Sequence, residues 1–180
     1  LQRSDEVRRI IKHLLSIIIA LIIVLLLQAL VISGAVVPNS QMAPTLQKDD
    51  RVIVNKAKVL INQLDTGDVI AYRQDGKLKM SRVIGKPGES VVYEKSQLYI
   101  DDKQVDESYI DHNNIQSLAL RDLSGSEGDI VQPNAYFVLN DDRSRKADSR
   151  TYGFIQRKDI VGSITLRYYP FEQFKFDFNR

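Results

Sequence analysis

The sequence predicts a mainly β fold, in which one N-terminal transmembrane helix is followed by an antiparallel β domain. An uncharged apolar run near the N-terminus is long enough to cross a bilayer. Beyond it, short runs rich in Val, Ile and Tyr alternate with Gly, Pro, Asn and Asp, which is the pattern of strands and turns. We expect a cytoplasmic tail at residues 1–13, a transmembrane anchor at 14–32 and a single extracytoplasmic domain at 33–180.

The apolar run extends from Leu14 to Ile32, where Ser16 and Gln28 are the only polar side chains. About 19 residues at a rise of 1.5 Å per residue approach the hydrocarbon thickness of ~30 Å. Four basic residues precede the run, whereas residues 33–47 carry no charge. The positive-inside bias therefore predicts a single-pass protein of the cell membrane, with its N-terminus in the cytoplasm and its main domain outside.

The rival interpretation of this segment is a cleavable signal peptide. Residues 33–35, Ser-Gly-Ala, have the small-x-small pattern of a cleavage site. The apolar run is longer than the about 7 to 15 residues typical of signal peptides, so we favour a retained anchor.

Seven segments of the outer domain are expected to form strands. They are Arg51–Asn55, Asp68–Arg73, Lys79–Gly85, Ser90–Tyr93, Gln97–Ile100, Tyr136–Asn140 and Val161–Tyr168. Residues 98–105 are typical of a hairpin that turns at Asp101 and Asp102. Residues 108–133 alternate only weakly, which predicts an insertion or a long loop. At the C-terminus, residues 172–180 alternate aromatic and polar side chains, which predicts a half-buried strand.

Charge and composition exclude several classes of function. The formal net charge is +2, from 25 basic and 23 acidic residues, and no basic run is interleaved with aromatics, so we expect no nucleic-acid partner. Because the chain has no cysteine, it can form neither a disulfide framework nor a thiolate zinc site, and it has no catalytic thiol. His13 and His112 have no partner at metal-ligand spacing, so we expect surface histidines, no metal and no cofactor.

The most specific signal is a set of four blocks at residues 37–46, 50–56, 81–88 and 141–153. The first contains Met-Ala-Pro-Thr-Leu, the second reads Asp-Arg-Val-Ile-Val-Asn-Lys and the third Ser-Arg-Val-Ile-Gly-Lys-Pro-Gly. In this order the blocks resemble those of bacterial type I signal peptidases, peptidase family S26. The resemblance is closest to the short Gram-positive members, in particular an inactive staphylococcal paralogue. It implies an outer domain of the signal peptidase type and a role in protein secretion.

The resemblance also implies that the catalytic pair of the family is absent. The serine nucleophile of the family precedes Met-x-Pro-Thr-Leu, and this place holds Gln41. The lysine general base precedes Arg-Val-Ile-Gly, and this place holds Ser81. A carboxamide is not a nucleophile for peptide cleavage, and Ser81 supplies no amine to act as the base. We therefore expect an inactive homologue of these serine endopeptidases.

Other family positions retain residues suited to binding. Asn39, two residues before the nucleophile position, is expected to be an oxyanion-type hydrogen-bond donor. Val37, Pro38 and Met80 match positions that border the peptide cleft of the family, and they are candidate peptide-binding residues. Signal peptides, exported preproteins and an active signal peptidase are the candidate partners.

The last block of the family reads Gly-Asp-Asn-Arg-x-x-Ser-x-Asp-Ser-Arg and corresponds to residues 140–150. Asp141, Arg143, Asp148 and Arg150 are retained, and we expect them to hold a structural loop through charge-assisted hydrogen bonds.

Two departures motivate an alternative function. Lys146 stands where the last block of the family has a small hydroxyl residue, and Ser40 lies one residue before the nucleophile position. A displaced Ser40 and Lys146 pair could form an active endopeptidase that removes signal peptides. A shift of one residue along an extended segment turns a side chain to the opposite face, which weighs against this hypothesis.

The sequence is also compatible with two interpretations that involve no catalysis. A structural membrane protein whose cleft binds no ligand would also fit the loss of the catalytic pair. The aromatic residues between 168 and 178 suggest contact with membrane lipid, although packing of a final strand on the core explains part of the pattern equally well.

Overall fold

The computed structural model describes residues 2–176 and 178. The chain divides into two compact units, one that ends at Ser33 and one that begins at Gly34. The first unit contains helix α1, Gln2–Val31. Its segment Arg8–Val31 is long enough to cross a membrane and contains an 18-residue window with a mean hydropathy of 3.2. Length and composition make it a candidate anchor, and a signal sequence would share both properties.

The second unit is an antiparallel β domain with short helical turns, whose first strand begins two residues before the unit itself, at Ile32. In chain order its strands are β1 Ile32–Val36, β2 Arg51–Asn55, β3 Val69–Gln74, β4 Lys77–Gly85, β5 Val91–Glu94, β6 Gln97–Ile100, β7 Lys103–Val105, β8 Ser117–Ala119, β9 Ala135–Leu139, β10 Ile155–Gln156, β11 Ile160–Tyr169 and β12 Lys175–Phe176. The α-helical turns are α2 Ala57–Leu60 and α3 Ser149–Tyr152, and the 3-10 turns are Leu120–Asp122, Arg157–Asp159 and Phe171–Gln173.

The strands form two sheets. The larger has the order β1-β2-β11-β3-β4-β9-β10, with β12 also paired to β11, and the smaller has the order β7-β6-β5-β8. Strand β4 pairs with β3 over residues 77–82 but with β9 only at Arg82, Val83 and Gly85. In the described part of the chain, residues 77–81 of β4 therefore have a ladder partner on one side, which leaves an open strand edge.

The mainly β fold with one N-terminal apolar helix is confirmed. All seven predicted strands are present, with bounds that differ from the predicted ones by no more than two residues. The predicted hairpin is β6–β7, and Asp101 and Asp102 at its turn have φ of 48° and 62°, as a type I′ turn requires.

The predictions were less accurate where hydrophobic alternation is weak. The long loop predicted at 108–133 contains strand β8 and a 3-10 turn. The strand predicted at 172–180 is mostly wrong, because the structure has a 3-10 turn followed by the two-residue β12. Residues 177, 179 and 180 of that prediction lie outside the described residues. Strands β1 and β10 were not predicted, since each is short and lacks a clear alternation.

Gly162 allows the central strand β11 to approach β2 closely. A Cβ atom at this position would lie 2.7 Å from the Asn55 carbonyl oxygen and 2.7 Å from Val54 Cγ1. The carbonyl belongs to the backbone of the paired strand, so it cannot move aside as a flexible side chain would.

We predict that Gly162→Ala lowers the free energy of unfolding by about 2 kcal/mol, because the added methyl group overpacks the junction of the two strands. Urea denaturation of the detergent-solubilised protein measures the change. Gly128→Ala is the matched control, since a Cβ atom there contacts nothing within 4 Å. An equal effect of the two substitutions would contradict the prediction.

Candidate functional site

The segment that follows β1 is fixed at both of its ends. The Val37 N–H donates to the Asp50 carbonyl, and the Asp49 N–H donates to the Val37 carbonyl. A helical turn then begins, in which the Leu46 N–H donates to the Met42 carbonyl at 2.8 Å. Val37, Met42 and Leu46 are all buried in one apolar cluster. This anchoring determines where the intervening Gln41 lies.

Gln41 is held by its backbone on two sides. Its N–H donates to Asn39 Oδ1 at 3.0 Å, and its carbonyl accepts from the Asp142 N–H at 3.0 Å. Its side-chain Oε1 is buried and has no hydrogen-bond partner among the described residues. The position that the sequence resemblance equates with the nucleophile thus carries a carboxamide whose Oε1 has no partner among the described residues, beside Asn39, whose Oδ1 accepts from the Gln41 N–H.

Ser81, at the position that the sequence resemblance equates with the general base, is fully buried within β4. Its Oγ donates to Asn140 Oδ1 at 2.9 Å and lies 3.2 Å from the hydroxyl oxygen of Tyr72. Burial raises the pKa of Tyr72 to about 12, and the hydrogen bond with Ser81 opposes this only in part. The hydroxyl of Tyr72 therefore keeps its proton at neutral pH, and this neutral cluster of three polar side chains contains no general base.

A buried ion pair lies next to this cluster. Arg82 Nε donates to Asp141 Oδ1 at 2.8 Å and Arg82 Nη2 to Asp141 Oδ2 at 2.6 Å, and both side chains are fully inaccessible to solvent. Thr45 Oγ1 donates to the same carboxylate at 2.5 Å, and Arg82 also donates to the Phe178 carbonyl. The pair thus joins the segment that carries Gln41 to β4 and to the loop after β9.

The other charged residues of that loop bind its backbone and one another. Asp148 accepts from the Asn140 N–H at 2.9 Å and from Arg150 Nη2 at 2.6 Å. Arg150 Nη1 donates to the Arg143 carbonyl at 2.8 Å. Arg143 is buried and pairs with Glu107. These contacts lie within the loop or join it to the segment after β7.

Ser40 and Lys146 show no direct connection. Ser40 is half-buried, and its carbonyl accepts from the Ala43 N–H at 3.3 Å. Lys146 is exposed and lines a surface cavity of about 790 Å³ whose lining does not include Ser40. Among the described residues no hydrogen bond joins the two side chains, and the displaced pair stays a hypothesis.

The candidate peptide-binding residues lie on two segments that share one core. Val37 and Met80 are buried in the same apolar cluster, against which Ala35 and Leu78 also pack. Pro38 is exposed. Alternate residues of the two segments therefore face a common core, next to the open edge of β4.

Sequence reasoning missed three residues around the site. Tyr72 and Asn140 hydrogen-bond Ser81, and Tyr152 accepts a hydrogen bond from Lys79 Nζ at 2.7 Å. Asn140 had a signal in the sequence, because it replaces the glycine that begins the last block of the family. Tyr72 and Tyr152 had none, since an alternating strand and a short turn do not indicate which side chains meet across the fold.

Comparison with known proteins agrees with the resemblance of the sequence blocks. The family described as "Signal peptidase, peptidase S26" matches residues 10–169. The chain belongs to the signal peptidase family S26. It is similar to "Inactive signal peptidase IA" of Staphylococcus aureus strain COL, with 48% identity over 95% of this chain and 98% of that protein.

Relatives named signal peptidase I are also similar to the chain. "Signal peptidase I" of Bacillus caldolyticus is 35% identical over 89% of this chain and 92% of that protein. A crystal structure of a signal peptidase I from Enterococcus faecalis V583 matches with a TM-score of 0.53 and 32% identity, over 57% of this chain and 97% of that one. The β domain therefore has a fold like that of signal peptidase I.

We predict that Tyr72→Phe lowers the free energy of unfolding by about 1 kcal/mol at neutral pH, because one buried hydrogen bond is lost. The raised pKa means that the folded state holds the phenolic proton more tightly than the unfolded state does. The stability from this group is therefore complete below pH 10 and is lost as the pH rises to about 12.

Urea unfolding at a series of alkaline pH values tests this prediction. The Tyr72→Phe variant should lose less stability than the natural chain across this window. Parallel losses in the two proteins would contradict the assignment of the raised pKa to Tyr72.

Proposed function

We propose that this chain is a membrane-anchored signal peptidase homologue in protein secretion that has no catalytic activity and binds extended segments of exported preproteins. The observation that carries the proposal is the replacement of both catalytic groups within an otherwise continuous site. Gln41 holds the nucleophile position and Ser81 the base position, while the buried Arg82–Asp141 pair still joins the segments around them.

The chemistry supports the loss of activity. A nucleophile and its general base act as a unit, so removing either one abolishes most of the rate enhancement. At position 81 the neighbouring groups are the hydroxyl of Tyr72 and the amide of Asn140. Neither takes a proton at neutral pH, so no neighbouring side chain in this cluster replaces the amine.

The open edge of β4 supports a binding role. Residues 77–81 of β4 present unpaired backbone groups, and an extended peptide can add to such an edge as a further strand. The unpaired Oε1 of Gln41 is a buried acceptor whose desolvation costs about 1–3 kcal/mol when it has no partner. If the half-buried Gln41 side chain turns toward the edge, an N–H group of a bound peptide would satisfy this acceptor. An active signal peptidase is the other candidate partner for this edge.

The N-terminal helix supports the proposed location. We place the N-terminus in the cytoplasm and the β domain on the outer side of the cell membrane, because basic residues precede the apolar run.

Four aromatic side chains near the C-terminal end are exposed: Tyr169, Phe171, Phe174 and Phe176. Tyrosine is favoured at membrane interfaces and exposed phenylalanine can insert into them, which supports contact of this region with lipid.

We predict that the natural protein, in detergent, does not cleave a signal-peptide substrate with an Ala-x-Ala site above the rate in buffer. Chromatographic detection of the products measures cleavage, with a signal peptidase I enzyme as the positive control. Cleavage that is abolished by Ser40→Ala and by Lys146→Ala would contradict the proposal and support the displaced pair. Cleavage that persists in both variants would indicate catalytic groups elsewhere.

We predict that a labelled extended peptide with Ala-x-Ala binds at least tenfold more tightly than the same peptide with Lys-x-Lys, because charged side chains are costly to bury against apolar walls. Gln41→Leu should weaken binding of the Ala peptide about fivefold, since one hydrogen bond contributes about 1 kcal/mol. Fluorescence anisotropy measures both effects. Failure of both peptides to bind would favour a structural protein whose cleft has no ligand.

A further inference from the structure

The side chain of Asn140 fills the space next to the base position. Asn140, Ser81 and Tyr72 are all fully buried. The Ser81 Oγ points at Asn140 Oδ1, 2.9 Å away, with the Tyr72 hydroxyl 3.2 Å from the same Oγ. Because protein interiors are close-packed, a longer side chain at position 81 has to displace one of these two neighbours.

Asn140 is not free to move aside, because every polar group it has is hydrogen-bonded. Its Nδ2 donates to the Arg145 carbonyl at 3.0 Å, and its N–H donates to Asp148 Oδ2 at 2.9 Å. Its own carbonyl accepts from Arg143. Moving the amide side chain breaks the bonds to Ser81 and Arg145 together, and would leave buried polar groups unpaired.

Tyr72 is an equally poor candidate for displacement. It is fully buried on β3 and packs in the apolar cluster that includes Val83 and Val138. Because its buried ring is close-packed in this cluster, displacing it would open a cavity in the apolar core. Of the two groups around Ser81, Asn140 is therefore the one whose removal opens space without damage to the apolar core.

We propose that Asn140 blocks the base position, so that it excludes a lysine at position 81 and prevents catalysis from being regained by replacing Gln41 and Ser81 alone. The inference rests on the proposed loss of activity and names the residue that maintains it. The last block of the family has glycine at this place, which leaves room for a longer neighbour. Asn140 also binds the Arg145 carbonyl, so it couples position 81 to the loop that carries Lys146.

The first test measures thermal unfolding and does not depend on activity. Ser81→Lys is introduced into the natural chain and into an Asn140→Gly background, and the two changes in Tm are compared. The hydrogen bond of Asn140 to the Arg145 carbonyl is lost in both glycine proteins and cancels in this cycle. The hydrogen bond between Ser81 and Asn140 does not cancel, so Ser81→Ala, which loses that bond without adding volume, is run in both backgrounds and its difference in Tm is subtracted. We expect Ser81→Lys to lower Tm by about 5–10 °C more in the presence of Asn140 than in its absence.

A second variant guards against an uninformative failure to fold. Ser81→Met has a side chain of similar length to lysine and no charge, so it separates overpacking from burial of an amine. The same dependence on Asn140 is expected for methionine. Equal losses of Tm with and without Asn140, for both lysine and methionine, would overturn the proposal.

The second test measures cleavage of the Ala-x-Ala substrate. The Gln41→Ser, Ser81→Lys double variant is compared with the triple variant that also carries Asn140→Gly. We expect the triple variant to cleave at least tenfold faster than the double variant. Equal cleavage by the two, or silence of both, would overturn the proposal. Cleavage by the natural chain would contradict the proposed function instead and would leave the thermal cycle as the test of Asn140.

Discussion

The buried pair of Arg82 and Asp141 is the constraint on which the rest of the site depends. Both side chains are inaccessible to solvent, and the carboxylate also accepts from Thr45. Loss of one member of such a pair costs about 3–5 kcal/mol, because the other charge is left buried and unpaired. Since Thr45 follows the nucleophile position and Arg82 follows the base position, the pair holds both regions together whether or not they carry catalytic groups. The fold therefore does not require the chemistry.

The neighbouring cluster of Ser81, Asn140 and Tyr72 is neutral, in contrast to this ion pair. A catalytic lysine at a buried position needs an apolar setting that disfavours its charge, and such a setting has an energetic cost. The neutral cluster has no charge to desolvate, and its polar groups are hydrogen-bonded. A neutral and hydrogen-bonded cluster is therefore a more stable occupant of a buried position than an unpaired amine. The charged pair and the neutral cluster thus meet at two consecutive residues of β4, Arg82 and Ser81.

The strands with clear alternation could be predicted from the sequence, and the hairpin at Asp101 and Asp102 followed from its turn residues. Strand β8 within residues 108–133 could not, because three residues stabilised by pairing with β5 have no periodicity of their own. Sequence pattern also failed at residues 172–180. Their alternation of aromatic and polar side chains predicted a strand, whereas the structure has a 3-10 turn and the two-residue β12. Local pattern is reliable where one face of a strand is buried, and it fails where pairing alone decides the structure.

The sequence by itself determined the family, the mainly β class with its apolar helix, and the identity of the residues at positions 41 and 81. These follow from residue order and from hydrophobic pattern, which are properties of the chain. Only the tertiary structure decided that Ser81 hydrogen-bonds Asn140, a residue that lies 59 positions away in the chain, and that Gln41 has a buried acceptor without a partner among the described residues. Such facts depend on the register of distant strands and on how tightly their side chains pack, and a linear sequence does not state either one.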